Sequence, residues 1–195
     1  MRMLTAFTFV TLNGFFKGPG EDTTWHHHGK EEAKFSEQSL RRGNILLFGR
    51  KTYEMMAAFW PTPMAKEAFP KVADGMNKAE KLVFSRTMKN AEWHNTRVVG
   101  KNLIEAVRGL KRTAKKDMTI LGSGSLVAQL AQEGLIDEYE ILVDPIAIGN
   151  GTPLFKDMTN RLDLKLSRLK QFKSGAVLLR FHPLTASGKK VLHKT

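Results

Sequence analysis

Three short segments carry the residue types that hold phosphate groups in proteins. They read "FGRKTYE" at residues 48–54, "FSRT" at 84–87 and "LGSGSL" at 121–126. Glycine lets the backbone approach an anion closely, and free amides at a helix start carry partial positive charge. Arginine adds charge-assisted hydrogen bonds to phosphate oxygens. Together the three segments could hold a molecule with several phosphates.

The glycine-serine segment alone leaves two interpretations open. A turn between a strand and a helix also favours Gly and Ser, so Gly122–Ser125 could be a simple cap. The segment matches neither nucleotide fingerprint, because a Rossmann loop needs a third glycine where Val127 stands and a Walker loop needs Gly-Lys-Ser/Thr. Arg50 and Lys51 follow a short apolar segment directly, and Arg86 is placed in the same way, which favours the phosphate interpretation.

The hydrophobic pattern indicates the elements that would position these segments. Apolar runs typical of strands in a parallel sheet stand at residues 1–10 and at "NILLF", "EKLVF", "RVV", "MTIL" and "DEYEILV". Helices are predicted at "KEEAKFSEQSLRRGN", at "KNLIEAVRGLKR" and directly after the glycine-serine segment, whereas "NGFFKGPGEDT" is predicted to be a loop. Ligands of such sheets bind at the carboxyl ends of the strands, where all three phosphate-type segments fall.

The C-terminal part has a different pattern. "LDLKLSRLKQF" alternates through Leu166 and changes phase at Leu169, which suggests a bulge, and "KSG" joins it to "AVLLRF" as a hairpin. We therefore predict one α/β domain over residues 1–183, with a mostly parallel central sheet, an antiparallel C-terminal hairpin and helices on both faces. A basic tail follows at 184–195.

Composition narrows the function classes. The 195 residues include 31 Lys+Arg and 19 Asp+Glu, a net charge of +12, which favours phosphate-bearing partners. Cysteine is absent, so thiolate chemistry is excluded. No apolar stretch approaches the roughly 18 residues of a membrane span, and no signal-peptide pattern is seen, so we expect a cytoplasmic protein without a membrane partner. A basic nucleic-acid-binding domain is an alternative that lacks a recognised motif and is not favoured.

Five segments, in order and across nearly the whole chain, resemble the dihydrofolate-reductase-like superfamily. More narrowly, they resemble the C-terminal reductase domain of riboflavin-biosynthesis deaminase-reductases. They are "TLNGFFKGP", "LLFGRKTYE", "KLVFSRT", "ILGSGSLVAQLAQEGLIDEYEILVDPIAIGNGTPLF" and "LKQFKSGAVLLRF". The resemblance implies a stand-alone, homodimeric NADPH-dependent reductase acting on a small pterin- or pyrimidine-like heterocycle, similar to 5-amino-6-(5-phosphoribosylamino)uracil reductase or dihydrofolate reductase.

The resemblance also implies roles for residues. The adenosine side of NADPH, with its 2′-phosphate, would be bound by Gly49, Arg50, Lys51, Thr52, Ser85 and Arg86. The pyrophosphate would be bound by Gly122, Ser123, Gly124, Ser125 and Leu126. Near the substrate would stand Asn13, Phe15 and Trp25, together with Glu31, although Glu31 and Glu32 are also ordinary acids of a first helical turn.

Departures from the family pattern leave the proton donor unassigned. Related sequences often carry an aspartate where this chain has Asn13, so no proton relay is assigned to this position. No catalytic acid is named, and folate reduction is not expected. The run His26-His27-His28 is expected to form a polar, mobile loop near the mouth of the site, and no metal is expected. A protein that binds the cofactor without turnover is the second alternative.

Overall fold

This computed structural model describes residues 1–27, 29–100 and 102–184. Its strands are numbered in chain order. They are β1 (Leu4–Thr11), β2 (Phe15–Lys17), β3 (Ile45–Gly49), β4 (Lys81–Phe84), β5 (Thr96–Val99), β6 (Met118–Leu121), β7 (Glu138–Asp144), β8 (Thr152–Pro153), β9 (Leu164–Gln171) and β10 (Val177–Pro183). The helices are α1 (Lys30–Leu40), α2 (Arg50–Phe59), α3 (Pro63–Ala68), α4 (Pro70–Lys78), α5 (Leu103–Thr113) and α6 (Gly124–Gln132). The predicted basic tail lies outside the described residues except for Leu184.

Eight strands form one central sheet in the order β5-β4-β3-β6-β1-β7-β10-β9. Neighbours from β5 through β7 run parallel, β10 runs antiparallel to β7, and β9 runs antiparallel to β10. The predicted mostly parallel sheet with an antiparallel C-terminal end is therefore confirmed. The predicted bulge is also present, because Arg180 pairs with Arg168 while Phe181 pairs with Leu166, which leaves Ser167 unmatched.

Helices cover both faces of the sheet, as predicted. Alternate residues of each strand point to opposite faces. Leu47 therefore packs with residues of α5 and α6, such as Val107 and Leu130, whereas Phe48 packs with Tyr53 of α2 and other residues on its own face. Farther along the sheet, Phe35 of α1 joins Phe7 and Phe172 in a third apolar cluster.

Two local predictions are wrong, and two further helices had no counterpart among the predicted elements. The predicted loop at 13–23 contains β2, because its residues pair with the distant strand β8, and a short 3-10 helix at Pro19–Glu21. Helix α1 ends at Leu40, so Arg41 and Arg42 follow the helix instead of forming its last turn. Helices α3 and α4 were not expected, and each begins at a proline, a residue that suits a first helical turn.

Candidate functional site

Two helix N-termini meet at the carboxyl edge of the sheet. Strand β3 leads directly into α2 and strand β6 leads into α6, and the two strands are hydrogen-bonded neighbours. Gly49 has no side chain with which to cap α2. Ser123 precedes α6, but its hydroxyl accepts a hydrogen bond from the Gly49 backbone N–H at 2.8 Å instead of capping its own helix. Neither helix has a side-chain cap, so first-turn amides such as that of Gly124 are left for an anion, whereas the Leu126 N–H already donates to the carbonyl of Ser123 at 2.8 Å.

The two glycines of the Gly122–Ser125 segment are required by its backbone geometry. Gly122 adopts a positive φ of 57°, a backbone conformation that L side chains rarely adopt. A Cβ atom at Gly124 would stand only 2.6 Å from the ring of Phe16, so the close approach of this ring needs a residue without a side chain. Ser123 between them is also left-handed, at φ 51° and ψ 60°.

A cavity of about 310 Å³ lies over these helix starts. Seven of the eleven residues predicted to bind the cofactor line it: Gly49, Arg50, Lys51, Thr52, Ser123, Gly124 and Ser125. The opposite wall comes from the small β2–β8 sheet and the segment after it, including Phe16, Lys17, Thr152 and Lys156. The structure thus brings two of the three phosphate-type segments to one concave surface.

The cavity carries more basic than acidic side chains. Lys17, Arg50, Lys51 and Lys156 line it together with Glu21 and Asp157. Arg50 Nη1 donates to Glu54 at 2.9 Å, and Lys51 Nζ donates to Glu21 at 3.0 Å. A hydrogen bond from Lys17 holds the pKa of Glu21 below its usual range, although burial opposes this shift and Lys51 adds to it. Such partly exposed ion pairs are weak, so a phosphate can replace the carboxylates.

The other four predicted cofactor residues do not line the cavity. Ser85 and Arg86 follow β4, the strand beside β3, so they stand at the same edge of the sheet. The Ser85 hydroxyl accepts the backbone N–H of Met88 at 2.9 Å, and Arg86 is exposed. Leu126 is 4% exposed and packs in the core, and a Cβ at Gly122 would meet Thr52 at 3.4 Å.

The predicted substrate residues are mostly engaged in bracing loops. The Asn13 amide donates to the carbonyl of Ile148 at 2.8 Å, and its oxygen accepts from Thr11 Oγ1 at 2.8 Å. Glu31 accepts the backbone N–H of Lys173 at 2.9 Å, in the turn of the β9–β10 hairpin.

Phe15 and Trp25 lie on the two ends of the segment that follows β1. Phe15 is part of β2, where it pairs with Pro153, and is partly buried. Trp25 is buried, and its indole N–H donates to the carbonyl of Asp22 at 3.2 Å. Phe9 meets the indole edge-on, with ring centroids 5.7 Å apart. These contacts place an aromatic cluster at the end of β1.

A buried His-Asp pair was missed by the sequence analysis. His26 Nδ1 lies 2.7 Å from Asp144 Oδ2, and the imidazole stacks on Phe9 with ring centroids 3.9 Å apart. The expectation of a polar, mobile histidine loop is therefore wrong for His26, which is 8% exposed, whereas His27 is exposed and His28 lies outside the described residues. The available sequence signal was an acid placed directly at the end of a predicted strand.

A second, more open cavity of about 960 Å³ lies between α2, α4 and the segment before β5. Polar groups of its wall bond to one another: the Trp93 indole donates to Asn77 Oδ1 at 2.7 Å, and the Trp93 backbone N–H donates to Tyr53 Oη at 3.0 Å. These groups are satisfied without a ligand, so the smaller cavity is the better candidate site.

Two other kinds of site are absent from the part of the chain that the structure describes. Over residues 1–27, 29–100 and 102–184, no group of three or more His, Cys, Asp or Glu side chains is placed to hold a metal ion. No helix within those ranges has the length and apolar character needed to cross a membrane.

Comparison with known proteins gives consistent matches over nearly the whole chain. A model of the RibD C-terminal domain family matches residues 2–178. Uncharacterized protein YyaP of Bacillus subtilis (strain 168) is 28% identical over 173 residues, which cover 89% of this chain and 90% of the relative. Among solved structures, a candidate riboflavin biosynthesis protein of Shewanella sp. PV-4 has a TM-score of 0.75 at 19% identity, covering 95% of this chain and 100% of the other. A pyrimidine reductase-like protein of Corynebacterium diphtheriae has a TM-score of 0.68 at 17% identity, covering 94% and 92%.

Proposed function

Because this chain belongs to the RibD C-terminal domain family, we propose that it is a reductase that uses NADPH to reduce a small pterin- or pyrimidine-like heterocycle. The family resemblance drawn from the five sequence segments is confirmed by the family match. A neighbour named as pyrimidine reductase-like, over 92% of its own length, supports the substrate class. When bound, NADPH would supply the hydride, and the protein would supply position and electrostatics.

The observation that carries the proposal is the convergence of two helix starts on one basic cavity. The first turns of α2 and α6 and the basic side chains around them fit the two phosphates of a dinucleotide. The loop backbone supports this, because Gly124 has no side chain that would displace the Phe16 ring, which lines the same cavity. The pyrophosphate would bind at Ser123–Ser125 and the adenosine side at Gly49–Thr52.

The 2′-phosphate of NADPH would select it over NADH. Arg50 at the start of α2 and Arg86 at the end of β4 stand at the carboxyl ends of neighbouring strands. A charge-assisted bond from an arginine to a phosphate contributes about 1.5 to 3 kcal/mol, which corresponds to roughly one to two decades in affinity. We therefore expect a marked preference for NADPH.

Titration of the protein with NADPH and NADH, followed by nicotinamide fluorescence, tests this function. We expect micromolar binding of NADPH, weaker binding of NADH, and a smaller difference in Arg50→Ala and Arg86→Ala. Arg112→Ala is the matched control, because Arg112 is an exposed arginine at the end of α5. Absence of binding by either cofactor would reject the proposal, and a steeply salt-dependent affinity for DNA would then favour the nucleic-acid alternative.

Turnover is tested separately from binding. NADPH oxidation is followed with 5-amino-6-(5-phosphoribosylamino)uracil and with dihydropterins as acceptors. Oxidation that depends on an acceptor supports the reductase, whereas tight NADPH binding with no oxidation by any acceptor favours a binding protein without turnover.

We also propose a homodimer formed through the β9–β10 hairpin. Leu166 and Leu169 of the edge strand β9 are 47% and 58% exposed, a feature that favours a contact with another chain. Light scattering on the wild type and on Leu169→Lys tests this assembly, because a dimer that uses this edge should dissociate in the variant. A monomeric wild type would reject it.

A further inference from the structure

We propose that His26, oriented by Asp144, donates the proton that accompanies hydride transfer in the proposed reductase. This inference rests on the proposed function and extends it, because neither the sequence pattern nor the family match assigns a proton donor. Its basis is a buried His-Asp pair at the carboxyl edge of the sheet.

The pair has the geometry of an oriented imidazole. His26 Nδ1 is 2.7 Å from Asp144 Oδ2, and the two side chains are 4% and 1% exposed. An ionised carboxylate only accepts hydrogen bonds, so Nδ1 carries a proton and the ring orientation is fixed. Asp144 meets the ring from β7, Phe9 stacks on it from β1, and Trp25 meets it edge-on from the same loop. When the ring is protonated, Nε2–H is a second donor.

The position in the sheet suits the reacting end of a dinucleotide. Asp144 is the last residue of β7 and lies beside Thr11, the last residue of β1. The glycine-serine segment, Gly122–Ser125, follows β6, which lies on the other side of β1. Two strand spacings separate β6 from β7, about 10 Å. The pair and the segment at Gly122–Ser125 therefore lie on either side of the end of β1, at the same edge of the sheet.

Asp144 retains one acceptor beyond its bond to His26. The residue is 0% exposed, and its Oδ1 has no hydrogen-bond partner in the part of the chain that the structure describes. A purely structural link between the loop and β7 would be expected to satisfy both oxygens, because a buried unsatisfied acceptor is costly. The remaining oxygen is suited to an N–H or O–H donor of the substrate, such as the ring N–H of a pyrimidine or pterin.

The proposed step balances with these groups. Hydride from NADPH forms a C–H bond at the carbon of a C=N or C=O group of the heterocycle. The electron pair of that double bond moves to its nitrogen or oxygen, which takes the proton from His26 Nε2. NADP⁺ is the oxidised product, and solvent returns the proton to His26. Asp144 stays ionised and acts as a positioning residue.

Nitrogen-15 NMR of the histidine side chains in the apoprotein tests the pair without any substrate. We expect the neutral His26 ring to carry its proton on Nδ1, the nitrogen that faces Asp144. Asp144→Asn should alter this tautomer preference, whereas His27→Gln, a change at the exposed neighbour, should leave the His26 signals in place. A neutral His26 ring that carries its proton on Nε2 would overturn the proposal, because Asp144 would then not orient the ring.

Single-turnover kinetics test the role in the reaction. With an acceptor that the wild type reduces, His26→Gln should slow hydride transfer by roughly 100- to 10,000-fold, the range of general acid catalysis. Asp144→Asn should lower the rate less and shift its pH profile, and His27→Gln should behave as the wild type.

Cofactor titration separates this proposal from the function on which it rests. NADPH affinity in His26→Gln should stay within about threefold of the wild type, which also shows that the variant is folded. Loss of NADPH binding in the wild type would reject the reductase, whatever the NMR result. Normal binding together with a His26→Gln rate within threefold of the wild-type rate would reject only the proton donor.

Discussion

Replacement of Gly124 by alanine tests whether Phe16 and the glycine loop form the wall of the cofactor site. The added Cβ would lie 2.6 and 2.7 Å from two carbons of the Phe16 ring, well inside a normal contact distance. Such overpacking costs about 1 to 3 kcal/mol when the neighbours must shift. Because Phe16 lines the cavity, a displaced ring should also weaken NADPH binding about tenfold.

A matched variant, Gly109→Ala, separates the loss of stability caused by the clash at Gly124 from the general effect of replacing a helical glycine by alanine. Gly109 lies inside α5, and no described atom stands within 4 Å of a Cβ built there. Gly109→Ala should therefore stabilise the protein by about 0.5 to 1 kcal/mol, opposite in sign to Gly124→Ala. Both are measured by urea unfolding followed by tryptophan fluorescence.

A double-mutant cycle identifies Phe16 as the cause. Phe16→Ala removes the ring that the new methyl group would strike, so the double variant should be more stable than additivity predicts, by about 1 to 2 kcal/mol. If Gly124→Ala proves as stable as the wild type, or if the cycle shows no coupling, the close packing of Phe16 on the loop is refuted.

Three further predictions concern charge and hydrogen bonding. Glu54→Gln should free Arg50 from its ion pair and tighten NADPH binding up to about fivefold, an effect absent in the Arg50→Ala background and measured by fluorescence titration. Ser123→Ala should lower the free energy of unfolding by about 1 to 2 kcal/mol, because the Gly49 N–H loses its acceptor. Ser125 is exposed, so Ser125→Ala should change the free energy of unfolding by less than about 0.5 kcal/mol. Burial lowers the pKa of Lys81 to about 8 from 10.5, so the unfolded chain binds more protons than the folded protein between these two pH values. The free energy of unfolding of the wild type, relative to that of Lys81→Met, should therefore rise with pH across this interval. Urea unfolding should show a rise of at most about 3 kcal/mol.

Sequence periodicity predicted those parts of the fold in which local pattern and burial agree. "NILLF" and "MTIL" became β3 and β6 because strands covered on both faces need apolar residues at successive positions. The β2 strand escaped prediction because its partner β8 lies far along the chain, and pairing between such short segments leaves no periodic signal. The phase change in β9 did predict a bulge, since it alters the face of every later residue.

The site was predictable to the extent that its residues adjoin strand ends. Gly49–Thr52 and Ser123–Ser125 follow β3 and β6 directly, and the two strands are neighbours, so their placement in one cavity follows from the topology. The His26–Asp144 pair has no such signal, because 118 residues separate its members and the described residues next to His26 form no helix or strand. Packing of His26 over Phe9 places the imidazole at the end of β7.

The segment between β1 and α1 links both halves of the candidate site, and its internal bracing keeps them separable by experiment. Phe16 in β2 lines the cavity, whereas His26 nearer α1 pairs with Asp144. Asn13, which precedes Phe16, ties the start of the segment to Ile148. Between Phe16 and His26, Asp22 Oδ1 accepts the backbone N–H of Thr24 at 2.9 Å. Because each end is anchored to a different strand of the scaffold, displacement of Phe16 should weaken cofactor binding while the histidine pair stays formed. The NMR signals of His26 in Gly124→Ala should therefore match those of the wild type, and a changed tautomer there would show that the two ends move as one unit.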